Sequence, residues 1–146
     1  MKILTSISLA AFLATGSQLT AAACSQSTLD GFYGASGTIA NYDTGDLLNL
    51  VGRIRFNGSG GVSMPFVRFS TSGQQYASSG KGTYTLNASC TGSATLNFIS
   101  NGNTFGTAKL QMVVAGTPDA PVIYAIYTGD GDASESGELV FSLIQH

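Results

Sequence analysis

The chain has 146 residues, a formal net charge of −2, only 10% charged side chains, 19 glycines and no tryptophan. Charge that sparse, set beside 43% hydrophobic residues, excludes a disordered polyelectrolyte and a strongly basic nucleic-acid-binding domain. It fits one core assembled from short strands and tight turns.

The first 23 residues read as a secretory signal. Met1-Lys2 supplies a positive start, residues 3–13 an apolar run, and Ala21-Ala22-Ala23 a small-residue cleavage site. The run is too short to span a bilayer, so no integral membrane segment is expected after cleavage. Residues 24–146 form a single domain, placed outside the cell. Its cations are Arg53, Arg55, Arg68, Lys81 and Lys109; against eight carboxylates they leave a net charge of about −3. No basic patch stands out along the chain, so neither nucleic acid nor an anionic membrane is an expected partner. Cys24 follows the leader directly, which raises lipid anchoring, in the periplasm for example; Ala21, however, stands where a lipidation motif usually has leucine. Two cysteines in an exported chain more commonly pair. A Cys24–Cys90 bridge is expected, worth roughly 4 kcal/mol in the chain-entropy model.

The mature chain then alternates strands and turns. Strand one covers 29–40 and is followed by a turn-rich loop over 41–46. Strand two, 47–57, alternates cleanly, with Leu48, Leu50, Gly52, Ile54 and Phe56 on one face and Arg53 and Arg55 on the other. Asn57-Gly58-Ser59-Gly60-Gly61 turns into strand three, 62–71. Residues 72–80 read as a flexible loop. Thr83–Leu86 and Ala94–Phe98 flank a polar corner that carries Cys90, a hairpin giving strands four and five. Asn101-Gly102-Asn103 turns the chain into strand six, 104–115. A proline-bearing turn leads to strand seven, 122–128, and an acidic loop to strand eight, 138–144. No helical period follows the leader. Eight strands with short connections imply antiparallel neighbours, and an eight-stranded antiparallel up-and-down barrel removes every exposed edge. A two-sheet sandwich is the alternative.

One inward set is Ile54, Phe56, Met64, Phe66, Tyr84, Leu86, Leu96, Phe98, Leu110, Met112, Tyr124, Ile126, Leu139, Phe141 and Leu143. Such a barrel is either filled by its own side chains or holds one small ligand. The lining candidates are Tyr84, Tyr124, Phe66, Arg68, Met112 and Phe141. Arg68 joins them if Met64 and Phe66 set the phase of its strand; with Val67 and Phe69 inward it points to water instead.

Little else carries chemistry. The sole histidine, His146, is terminal, which leaves no Ser-His or Cys-His catalytic scheme and no histidine-based zinc site. In the acidic segment Asp130–Glu138 a calcium loop would want a carboxylate where Phe141 stands, and it reads as a solvated turn. Asp43 with Asp46, and Asp130 with Asp132, share loops without the placement that glycosidase chemistry needs. No catalytic residue, metal or cofactor is assigned, and enzymatic activity is left open. Asn57-Gly58-Ser59 and Asn87-Ala88-Ser89 are glycosylation acceptors if the source is a eukaryote.

The run from Cys24 through Leu29, Gly31 and Tyr33, the segment Val51-Gly52-Arg53-Ile54-Arg55-Phe56-Asn57-Gly58-Ser59-Gly60-Gly61-Val62-Ser63, and the stretches Gly82-Thr83-Tyr84-Thr85-Leu86-Asn87 and Cys90-Thr91-Gly92-Ser93-Ala94 resemble small exported proteins of calycin-like or allene-oxide-cyclase-like β-barrel type. The resemblance ends near Asn101 and rests on turn and strand motifs. It implies an eight-stranded barrel with an apolar interior, of a kind that binds small apolar molecules or guides their cyclisation; no catalytic residue carries over. Three functions follow as expectations. The first is binding of a small, mostly apolar molecule in or at the mouth of the barrel. The second is a cyclase or isomerase, and the third an extracellular interaction or effector protein with a filled barrel.

Overall fold

The structure, a computed structural model, describes residues 23–117, 119–129 and 135–144. The leader up to residue 22, Pro118, Asp130, Asp132 and His146 lie outside the described residues. Eight strands follow a short 3-10 turn at Gln26–Thr28: β1 (Asp30–Asn41), β2 (Leu47–Asn57), β3 (Gly61–Thr71), β4 (Gln74–Leu86), β5 (Thr91–Ser100), β6 (Asn103–Thr117), β7 (Ala120–Tyr127) and β8 (Glu135–Leu143). Each pairs antiparallel with the next, and β1 pairs with β8 from Tyr33↔Leu143 to Asn41↔Glu135. That seam closes the sheet into the expected up-and-down barrel and rules out the sandwich.

Turn chemistry explains the short connections. Asn101 and Gly102 both adopt positive φ (51° and 81°), as do Ser72 and Gly73 (47° and 79°). Positive φ at both central residues is the two-residue turn that matches strand twist. The loop expected over 72–80 is therefore only Ser72-Gly73. Residues 74–80 are polar and glycine-bearing, which disguised them, but they extend β4 because β3 offers a paired edge, with Ser70↔Gln75 and Phe69↔Tyr76 in register. At the corner with Cys90, the Asn87 side-chain oxygen accepts from the amides of Ser89 and Thr91 at 3.1 and 3.2 Å. The Asn57 oxygen does the same for Ser59 and Gly61 at 3.0 and 2.8 Å.

Strand three changes phase partway. The β3–β4 register shifts between Met64 and Val67, and Pro65 and Phe66 are consecutively exposed. A bulge there inserts one extra residue, a position that tolerates proline. Met64 points inward before it, Val67 and Phe69 after it. Phe66 and Arg68 consequently face outward, correcting their place among the lining candidates.

Strand seven is apolar on both faces, so alternation alone could not orient it. Its neighbours do. Ala125 stands opposite Met112 of β6 and Leu139 of β8, both inward, and residues opposite each other in an antiparallel ladder share a face. Ile123 and Ala125 are buried, whereas Tyr124 and Ile126 are 54% and 56% exposed. The inward assignment of Tyr124 and Ile126 is corrected accordingly.

The lower half of the barrel is packed solid. Phe56 is ringed edge-on by Tyr33, Tyr84 and Phe141 at centroid distances of 5.5, 5.0 and 6.5 Å. The segment ahead of β1 closes this end. Leu29 is fully buried, and its carbonyl accepts from Gly58 N at 3.0 Å and the Tyr84 hydroxyl at 3.1 Å. The same hydroxyl lies 2.7 Å from the Gln26 carbonyl. Cys24 and Cys90 form the expected disulfide, Cα atoms 5.0 Å apart across 66 residues of sequence. It ties the plug to the β4–β5 corner.

Candidate functional site: the open mouth of the barrel

With one end plugged, the opposite end of the barrel is the open one among the described residues. There the ends of all eight strands surround a cleft of about 730 Å³. Its apolar lining is Ile39, Leu48, Phe69 and Phe98, joined by Tyr76 and Tyr127. Phe69 and Phe98 meet edge-to-face at 5.2 Å and form the floor. The interior is thus packed near the plug and open near the mouth.

One polar constellation reaches into the cleft. Glu135, the first residue of β8, is in phase with Gly137 and the inward Leu139, and lines the cleft. Its carboxylate oxygens accept from Asn41 Nδ2 at 3.2 Å and from the Tyr127 hydroxyl at 3.0 Å. Asn41 also shapes the neighbouring turn, its Oδ1 accepting from the amides of Asp43 and Thr44, each at 3.0 Å. Among the described residues, no Lys, Arg or His lines the cleft. Asp43 and Asp46 belong to the β1–β2 loop at the same end; the Asp46 carboxylate accepts from Ser72 Oγ at 3.1 Å.

None of the six lining candidates borders this cleft. Met112 and Phe141 are buried in the packed core, and Tyr84 is committed to the plug. Phe66, Arg68 and Tyr124 are on the outer wall. Sequence reasoning missed the polar trio because Glu135 falls inside the segment that reads as a solvated acidic turn, and Tyr127 stands just ahead of it. Tyr127 becomes inward only once the phase of β7 is known. Among the described residues, no group of three or more His, Cys, Asp or Glu is placed to hold a metal, and no helix is long and apolar enough to cross a membrane.

The outer wall is uneven. Arg53, Arg55, Arg68 and Lys81 gather on the outside of β2–β4, where Arg55 and Lys81 flank Ser63 in one cross-strand row. The Arg53 guanidinium lies 3.9 Å from the centroid of the Phe32 ring, a cation–π contact. The cations are therefore grouped in a way their scatter along the chain did not suggest. On the far side, Val113, Tyr124 and Val140 form an exposed apolar row across β6–β8, with Ile126 beside it. The chain matches no protein-family model and no curated protein.

Proposed function

We propose that this protein is an exported barrel that binds a small, mostly apolar molecule in its mouth. The carrying observation is the asymmetry of the two ends: a disulfide-tethered plug at one, an apolar cleft of about 730 Å³ at the other. That volume lies in the usual range for small-molecule sites, and an apolar lining with a few placed polar groups is their usual make-up. Export is supported by the tripartite leader pattern and by the disulfide, a bond favoured in oxidising compartments. The calycin-like resemblance supports the same reading, since barrels of that kind hold apolar molecules.

Native mass spectrometry of the protein from its own culture medium, followed by titration with a fluorescent apolar probe, tests it. A retained small molecule, or saturable probe binding that is lost in Phe98→Asp while the variant stays folded, is the expected result. Folded protein that neither retains a molecule nor takes up the probe would sink the proposal and favour an interaction protein, whose natural surface is the exposed row on β6–β8.

The convergence of Asn41, Tyr127 and Glu135 favours a second reading, a cyclase or isomerase. A carboxylate hydrogen-bonded to a phenol can relay a proton to a bound substrate. Recovery of the bound molecule chemically unchanged after long incubation with active protein argues for the binder over the enzyme.

A further inference from the structure

The mouth has a sign. Its walls are largely apolar and aromatic, with Gln75, Ser100 and Thr107 among them, and among the described residues the one charged side chain that lines it is the carboxylate of Glu135. Asn41 and Tyr127 each donate one hydrogen bond to that carboxylate, one per oxygen. Each oxygen keeps a further lone pair, so the group is oriented without being used up. Two tyrosines, Tyr76 and Tyr127, line the same cleft, with Phe69 and Phe98 below. An aromatic-lined cleft with a carboxylate in its wall makes a setting that attracts an alkylammonium, through ring quadrupoles and direct charge.

The surroundings reinforce the sign. The described turns at this end, 42–46, 72–73, 101–102 and 128–129, contain Asp43 and Asp46 and no Lys or Arg. Arg53, Arg55, Arg68 and Lys81 all lie on the outer wall of β2–β4. Lys109, the remaining cation of residues 24–146, is exposed on the outer face of β6, its backbone bonded to Thr128 and Gly129. Inside the cleft the described charge is that of Glu135, which favours an entering cation over an anion. A carboxylate-tailed lipid would place two like charges together in a low-dielectric cleft, which is costly.

We infer that the mouth selects apolar molecules whose polar end is an amine or quaternary ammonium, with Glu135 as the counterion. This rests on the proposal that the mouth is a binding site at all.

The test compares four ligands of one chain length by titration calorimetry, below their aggregation concentrations and at neutral pH: decylamine, decyltrimethylammonium, decanol and decanoate. The two cations are expected to bind about tenfold tighter than decanol, and decanoate weaker still. In Glu135→Gln the cations should lose their advantage over decanol, each measured in the same variant. Decanoate binding as tightly as decylamine in the native protein would overturn the inference while leaving the binding site intact. So would a ranking that Glu135→Gln leaves unaltered. If none of the four binds to folded native protein, the binding-site reading falls as well. Should Glu135→Gln fail to fold, the ranking in the native protein decides alone.

Discussion

Tyr33 and Tyr84 both turn a phenol into the barrel interior, but only Tyr84 finds acceptors. The Tyr33 hydroxyl is buried with no hydrogen-bond partner among the described residues. Burial, with Tyr84 and Asp30 adding to it, pushes its pKa up to about 12 from an ordinary 10.0. Burial likewise raises Tyr84, with backbone contacts at Gly60 and Gly58 opposing. An unsatisfied buried hydroxyl costs stability, so Tyr33→Phe should leave the protein as stable as before or up to about 1 kcal/mol more stable. Tyr84→Phe should cost about 1 kcal/mol, because it strips a bond from the Gln26 carbonyl and loosens the plug. Urea denaturation of both variants checks the pair of signs. The pH dependence follows from the raised phenol. Its contribution is fully present below the unfolded pKa near 10 and is lost as pH rises through the folded value near 12. Between about pH 9 and about pH 11.5 that loss is roughly 2 kcal/mol, and Tyr33→Phe should lack it.

The element that decides which end is open is the plug. It is a short stretch with little regular structure, held by Leu29, by the Tyr84 hydroxyl and by the Cys24–Cys90 bond. Replacing both cysteines with serine should remove roughly 4 kcal/mol by the chain-entropy argument. Hydrogen exchange should then rise first at 24–29, with the β5–β6 ladder still protected. Uniform loss of protection across all strands would mean that the plug and the barrel unfold as one unit. The bulge in β3 works at the same scale. By inserting one residue at Pro65–Phe66 it keeps Met64 and Val67 both inside, which a regular strand could not do.

The whole molecule depends on closure. The β1–β8 seam is where the sheet would open, and it is tight: a Cβ on Gly37 would lie 2.3 Å from both the Glu138 carbonyl oxygen and a Leu139 methyl. A Cβ on Gly34, in the same strand, would meet nothing nearer than the Ser142 carbonyl at 4.0 Å. Gly37→Val should therefore strain the seam and expose two strand edges, giving aggregates by light scattering. Gly34→Ala should remain monodisperse and close to native stability. Equal behaviour of the two variants would show that closure tolerates a side chain at this seam.

Much of this was legible in the chain order of residues. Alternation in strands two and six, the Asn101-Gly102 turn and the hairpin around Cys90 are local signals, set by backbone geometry and by the two faces of a strand, and they led to eight strands and a barrel. The disulfide was readable because only two cysteines exist to pair. Three things were not local. The phase of β7 was undecidable with both faces apolar, until Met112 and Leu139 imposed it from the neighbouring strands. The phase of β3 turned on a single extra residue that alternation does not count. The candidate site draws side chains from the ends of strands far apart in sequence, with Asn41 and Glu135 meeting 94 residues apart. Only closure of the sheet, which brings the first strand against the last, could place that carboxylate in an apolar mouth.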